Sequence, residues 1–406
     1  MDVEREVVVV GGGATGASVA RDLALRGVDV TLVERGPLTA GTTGRSHGVL
    51  HSGARYAESD PAGAAECIRE NRILREIGGA CVAETDGLFV SLPADPEEFV
   101  EEKLAGCREC DIPTEVVSGA AARELEPKLS PDVERAIRVP DGVVSPSRLV
   151  AATAADARDH GAAIETHAEV RDVLVEDDRV VSVEVERDGE RTTIGAAHVV
   201  NATGPWAGSV AALAGVEVEM KPTRGVMCVF DVSGVTHVLN RCRPPADGDI
   251  AVPHAERVVV GTTSVPVDDP SSFPRDRGAV ERMRIEGQKL IPEVATADCR
   301  RWYWGVRPLY APDESDGGRG ISRDFTVLDH RDDGVAGFTS VVGGKLTTAR
   351  LMAEAVADHV CSDLGVSARC ETADAPLPAE DPTHVDALVR EFGPPQPADE
   401  DVIGSS

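Results

Sequence analysis

The sequence predicts an α/β chain in which a Rossmann-like dinucleotide-binding domain is discontinuous and a β-rich domain is inserted into it. Three observations predict this class. Residues 7–16 read VVVVGGGATG, four consecutive valines running into a glycine turn, as a buried parallel strand does. Strand–turn–helix units recur at three separated places: at the N-terminus, at the strand entering NATGPW (201–206), and over 335–360. Between them lie stretches of another texture, above all 217–310, where strand and turn alternate with few helices.

In the first unit, Gly11, Gly13 and Gly16 fit the G-x-G-x-x-G loop. Gly11 permits the tight turn, Gly13 lets backbone approach a pyrophosphate, and Gly16 lets a helix pack closely on the sheet. The helix runs from Ala14 to Arg26, with Thr15 in its first turn, and stops at Gly27, a C-terminal cap. Its N-terminus offers N–H groups and a positive dipole end to phosphates. The next apolar run, VDVTLVE, closes on Glu34, at the spacing where a carboxylate accepts from a ribose 2′-hydroxyl and disfavours a 2′-phosphate. Strand, loop, helix, strand and acid in this order predict an ADP-containing dinucleotide, FAD or NAD.

A Gly/Thr/Ser-rich loop (39–56) follows, and a helix from about Ala62 to Ile77. The loop's core, TTGRSHGVLHSGARY (42–56), concentrates small, hydroxyl, His and Arg residues, which let a flat ring system approach backbone. Residues 92–146 are interrupted by Pro93, Pro96, Pro113, Pro127 and Pro140 and hold a helix from Phe99 to Cys110. A helix from about Arg148 to His160 precedes a strand. Residues 171–200 have the turns and β-branched enrichment of an antiparallel meander. Beyond about Pro376 the chain is rich in Pro, Asp and Glu, with one amphipathic piece from Val385 to Phe392, and reads as a surface tail. The expected division is 1–91, 147–216 and 320–375 for the nucleotide domain, 92–146 and 217–319 for the substrate domain, and 376–406 for the tail. An NAD domain is usually one unbroken block, so the interruption favours FAD.

Composition narrows the partners. The 406 residues carry a formal charge of −29, and lysine occurs only at Lys103, Lys128, Lys221, Lys289 and Lys345. An acidic, lysine-poor surface suits molar salt, where a Debye length of roughly 3 Å screens repulsion among carboxylates. No basic stripe exists to neutralise phosphates, which argues against nucleic acid. The nine cysteines form no evident framework, no apolar run has membrane-spanning length, and no signal peptide is visible. Reduced thiols in the cytoplasm are expected. Cys107-x-x-Cys110 lacks a second pair and reads as two incidental helix cysteines, so no metal site is expected.

Beyond these readings, ARDLALRG, TGRSHGVLHSGARY, PDGVVSPSRL, LNRCRPP, GTTS and GVRPL resemble the signatures of FAD-dependent glycerol-3-phosphate dehydrogenases, and within them the A subunit of the anaerobic enzyme. The likeness covers roughly residues 5–375. It implies FAD as cofactor, with Gly11, Gly13, Ala14, Thr15, Gly16, Glu34, Arg35 and Val170 on the ADP side. Thr42, Thr43, Arg45, Ser46, His47 and Gly48 would run along the pyrophosphate and flavin, and Thr203, Gly204 and Trp206 form the second flavin-side turn. Gly343, Gly344, Lys345, Leu346 and Thr347 match the closing segment, where a helix dipole and Lys345 would stabilise charge on reduced flavin.

The resemblance also implies substrate contacts by Arg55 and Tyr56 and phosphate recognition by Arg307 and Arg323, whose planar forks bind oxygens bidentately. Against a charge of −29, Arg55, Arg307, Arg323 and Lys345 together would form a local positive well. His51 is the candidate base for the alcohol proton, or the group that orients the hydroxyl; His47 is a weaker competitor, and His254 and His330 have no comparable case. The implied reaction oxidises sn-glycerol 3-phosphate to dihydroxyacetone phosphate. A quinone, or electron-transfer and membrane-anchoring subunits, would receive the electrons, placing the protein in the cytoplasm or peripherally on the inner membrane face. The cysteine-rich iron–sulfur extension of the bacterial enzyme has no counterpart in Cys361 and Cys370. A same-fold amine or D-amino-acid oxidase, and a non-catalytic protein that only binds flavin, are the alternatives.

Overall fold

The computed structural model describes residues 3–310 and 324–403. Arg323 lies outside the described residues. Two sheets organise the chain. The first contains β1 (Val3–Val10), β2 (Val30–Val33), β9 (Ala163–Glu165), β10 (Glu169–Glu176), β11 (Arg179–Arg187), β12 (Glu190–Asn201), β19 (Phe325–Asp329) and β20 (Phe338–Gly343). Its main path runs β10-β11-β12-β1-β2-β9, and β20 pairs with the far half of β12 and with β19. Strands β9, β2, β1, β12 and β20 pair in parallel, while β10, β11 and the start of β12 form the antiparallel meander.

The valines of β1 explain its central place. Val7, Val8 and Val9 have no exposed surface, so both faces of the strand are covered. One face packs on α1 (Ala14–Leu25), α5 (Pro146–Asp159) and α8 (Ala349–Leu364), through Val7, Val9, Leu23, Ala154 and Val356. The opposite face packs on α6 (Ala207–Leu213) and the meander, through Val8, Val183 and Phe338. Helix α1 ends as its sequence demands, with Gly27 at φ +80°.

The second sheet is ordered β17-β13-β16-β15-β14-β5-β7-β6, with β18 on the other side of β13. Its strands are β5 (Gly87–Ser91), β6 (Glu115–Ser118), β7 (Arg135–Val139), β13 (Thr223–Phe230), β14 (Val238–Arg241), β15 (Ile250–His254), β16 (Arg257–Gly261), β17 (Val265–Pro266) and β18 (Cys299–Arg307). Helices α3 (Glu97–Glu109), α4 (Gly119–Leu125) and α7 (Arg277–Leu290) lie in the same stretches of chain. A small third sheet joins β3 (Val49–Leu50), β8 (Gly142–Val144) and β4 (Val82–Ala83), next to α2 (Pro61–Ile77). Strand β5 pairs with β7 and, in parallel, with β14, so residues 87–91 belong to the second sheet rather than to the first segment of the nucleotide domain.

The expectation of a surface tail is wrong. Helix α9 (Pro382–Phe392) packs on α5, burying Val385, Leu388, Val389 and Phe392. Ile403 is fully buried, and the buried Asp399 accepts hydrogen bonds from the Ser145 hydroxyl (2.6 Å) and Ser147 N (2.8 Å) at the start of α5. A Pro- and acid-rich composition misled here because the apolar positions of α9 recur every three to four residues and outweigh it. Among the described residues no helix is long and apolar enough to cross a membrane.

Candidate active site

The site grows from the turns that leave the first sheet. Gly11 has φ +115°, and an added Cβ would lie 2.6 Å from the Ala202 carbonyl; at Gly16 it would lie 1.9 Å from the Gly11 carbonyl. Both glycines are therefore required by close backbone approach, as their spacing predicts. Gly12 escaped the sequence reading: a Cβ there would overlap the Leu38 and Glu34 side chains at 2.7 and 2.8 Å. Helix α1 has no side-chain N-cap, and Ala14 N donates to Thr43 Oγ1 (3.1 Å), the atom nearest an added Cβ on Gly13. Thr43 thus stands at the positive helix end.

The Glu34 carboxylate accepts Gly12 N on one oxygen (2.7 Å) and Gly36 N on the other (2.8 Å). It clamps the glycine turn. Glu34 N also donates to the Glu165 carbonyl, and Ala168 N to the Glu34 carbonyl, which ties the acid to the strand that carries Val170. Arg35 stacks its guanidinium 4.4 Å from the Trp206 ring, whose indole N–H donates to Ser271 (2.7 Å). Thr203 Oγ1 donates to Asn201 Oδ1 (2.6 Å), and Gly204 has φ +58°, so the NATGPW turn sits beside the glycine loop with Ala202 touching Gly11 and Gly16.

These residues fit an ADP-containing cofactor. Close contacts require glycine at Gly11, Gly12 and Gly16, the N-cap residue of α1 is a glycine that supplies no side-chain cap, and an acid stands at the ribose spacing.

The loop after β2 reaches the second sheet. A single 3-10 turn, Thr43–Arg45, abuts β18: Thr42 Oγ1 donates to the Val306 carbonyl (2.6 Å), and Tyr303 OH donates to the Ser46 carbonyl (2.9 Å). Arg45 is half-buried, and its pKa is lowered by burial and by Arg275. Gly48, at φ +72°, lies against His254, whose Nε2 bonds the His47 carbonyl (3.2 Å). His254, which had no functional case in the sequence, braces this loop, and burial lowers its pKa. His330 is bonded to Asp333 (2.8 Å) and Ser340 (3.0 Å), a structural arrangement.

His51 is buried; its ring lies 5.7 Å from His47 and 5.4 Å from Tyr56, both edge-on, and its backbone N–H donates to Thr347 Oγ1 (3.1 Å). The closing segment therefore meets the histidine loop. Gly343 and Gly344 have φ +80° and +77°, and a Cβ on either would strike the Asp324 carbonyl (2.2 Å) or Met352 Sδ (2.3 Å). Lys345, followed by Leu346 and Thr347, brings Nζ to 5.0 Å from the Tyr56 ring centre and 3.6 Å from Asp60 Oδ2. Asp60 also caps α2 by accepting from Gly63 N (2.9 Å). Burial raises the pKa of nearby Glu66, with Lys345 opposing.

Arg55 donates to Asn240 Oδ1 (3.1 Å) on β14. Arg307, at the end of β18, donates to Thr223 Oγ1 (3.4 Å), Thr262 Oγ1 (3.3 Å) and the Thr263 carbonyl (3.1 Å). Sequence reasoning gave no role to Asp60, or to Asn240 and Asp141 inside the LNRCRPP and PDGVVSPSRL stretches. All nine cysteines are free, Cys110 donating to the Pro61 carbonyl (3.4 Å), and no cluster among the described residues could hold a metal.

Residues 6–359 match the family described as DAO, FAD dependent oxidoreductase, and the chain belongs to it. It is 53% identical over 406 residues to the A1 subunit of anaerobic glycerol-3-phosphate dehydrogenase from Haloferax volcanii, covering 95% of this chain and 69% of that one. It is 44% identical over 387 residues to the A subunit of anaerobic glycerol-3-phosphate dehydrogenase from Escherichia coli K12, covering 94% and 71%. Among solved structures, the FAD-bound L-alpha-glycerophosphate oxidase of Mycoplasma pneumoniae superposes with a TM-score of 0.75 at 21% identity, covering 92% of this chain and 99% of that one. Glycine oxidase of Geobacillus kaustophilus superposes at 0.71 and 22% identity, covering 92% and 98%. These structural likenesses establish the fold.

Proposed function

We propose that this chain is the FAD-dependent catalytic component of an anaerobic-type glycerol-3-phosphate dehydrogenase, oxidising sn-glycerol 3-phosphate to dihydroxyacetone phosphate. The observation that carries the reading is the 53% identity with the Haloferax protein across 95% of the chain.

FAD, when bound, supplies the hydride acceptor. Residues Gly11 to Gly16, Thr43 and Glu34 would hold its ADP half with Arg35 and Val170, and the turn of Thr203, Gly204 and Trp206 would lie on the flavin side. The loop 42–48 and the segment Gly343–Thr347 would hold the flavin. Arg55, Arg307 and, on the family motif, Arg323 would bind the substrate phosphate, with Tyr56 against the three-carbon chain. His51 stands to take the hydroxyl proton on an imidazole nitrogen, or to orient that hydroxyl. Lys345 supplies positive charge next to Tyr56, and burial of His51, Tyr56 and Lys345 excludes water from the proton. Electrons would pass to a quinone or to partner subunits, on the cytoplasmic face of the membrane. In this scheme the first sheet serves the cofactor and the second the substrate.

The oxidase alternative has the same fold and differs in what its cations grip. Turnover with a dye acceptor separates the two. Reduction of the dye with glycerol 3-phosphate but not with glycine or D-amino acids supports the proposal; the reverse pattern overturns it.

A further inference from the structure

Asp141, between β7 and β8, is a buried carboxylate that none of the steps above employs. Its Oδ1 accepts both Ser52 N and Ser52 Oγ at 2.7 Å, and its Oδ2 accepts Asn240 Nδ2 at 3.4 Å. Asn240, itself buried, presents its Oδ1 to Arg55 Nη1. An added Cβ on Gly87 would lie 2.7 Å from Asp141 Cβ, so β5 leaves this space to the acid. We propose that Asp141 and Asn240 form a polarity relay that holds the Arg55 guanidinium for an anionic substrate group, which makes both of them positioning residues. This rests on the reading of Arg55 as a phosphate ligand.

The argument is one of donors and acceptors. A carboxylate only accepts, so Asp141 turns the Asn240 amide with its NH₂ inward and its oxygen toward Arg55, which only donates. Burial pushes the Asp141 pKa up, while the two Ser52 hydrogen bonds favour the ionised form. The neutral amide between acid and base matters. An amide accepts from the Arg55 fork on its oxygen while its NH₂ faces Asp141, so it orients the fork without adding a second negative charge there. Ser52 links the same acid to the loop of His51, so the relay also registers that loop against β14.

The test uses the FAD-loaded enzyme and glycerol 3-phosphate. In Asp141→Asn, Ser52's two donors keep the new amide oxygen on their side. Its NH₂ then opposes that of Asn240, whose amide flips and turns a donor on Arg55. Asn240→Ala removes the acceptor, leaves Asp141 its two Ser52 bonds and covers the case in which Asp141→Asn fails to fold. Each should raise KM about tenfold with kcat within about threefold, the size expected for one hydrogen bond to a charged group. In an Arg55→Ala background, neither should change kcat/KM more than about twofold. Wild-type KM in both single variants, or an equal loss in the Arg55→Ala background, overturns the relay. An Arg55→Ala enzyme with wild-type kcat/KM overturns instead the assignment of Arg55 itself.

Discussion

Glu34 offers the sharpest test of how the cofactor site is built. Each of its carboxylate oxygens accepts one backbone N–H, from Gly12 at 2.7 Å and from Gly36 at 2.8 Å. Glutamine has the same shape but only one acceptor, so Glu34→Gln leaves one N–H facing an NH₂ group. The loss comprises one charge-assisted bond and one half-buried donor without a partner, about 2 kcal/mol, or roughly thirtyfold in FAD dissociation constant. Gly12 is packed against Glu34 Cβ and Cγ, so the turn cannot move aside to recover the bond. Deflavinated protein titrated with FAD, read by quenching of flavin fluorescence, measures the constant directly. Aspartate, one methylene shorter, should do no better, since it cannot reach both amides. A Glu34→Gln protein that binds FAD as tightly as the parent would refute this picture of the glycine turn.

Other outcomes are expected. Arg307→Ala should cost roughly 2–4 kcal/mol in kcat/KM for glycerol 3-phosphate, because a bound phosphate loses its fork; an unchanged kcat/KM removes Arg307 from the site. His51→Ala should slow flavin reduction by substrate more than it weakens substrate binding, and stopped-flow bleaching at the parent rate would dismiss it as the base. His198, buried and bonded to Thr339 (2.9 Å), has its pKa pushed down by burial to about 4, against 6.5 unfolded. Its contribution is therefore intact above pH 6.5 and is lost as pH falls toward about 4, by up to about 3 kcal/mol. Denaturation midpoints of His198→Gln should depend less on pH across that window, and equal slopes for parent and variant would contradict this.

Features legible in the sequence were those set by local chemistry. The valine strand, Gly11, Gly16, the helix stop at Gly27 and Glu34 follow from backbone sterics and spacing, and α1 runs from Ala14 as read. The meander over 169–201, read from its turns and β-branched residues, and the helices near 61–77 and 146–159 were anticipated, displaced by one or two residues at their ends. What escaped was long-range. That β5 joins β14 in parallel, about 150 residues away in sequence, is a fact of topology with no local sign. The packing of α9 and Asp399 on α5 was hidden by a composition that resembles a solvated tail. In the site, Asp60, Asp141 and Asn240 act through partners far away along the chain, Lys345, Ser52 and Arg55 respectively, and no local spacing signals such contacts. The double duty of Glu34 was half visible: the spacing pointed to ribose, but its grip on Gly12 and Gly36 needed coordinates.

The most direct measurement is the visible spectrum of the FAD-loaded protein, recorded without oxygen before and after adding glycerol 3-phosphate. Prompt bleaching of the yellow flavin band by this substrate, and none by glycine or D-alanine, is the predicted result. A band that persists with glycerol 3-phosphate, or one that an amino acid bleaches instead, would contradict the account.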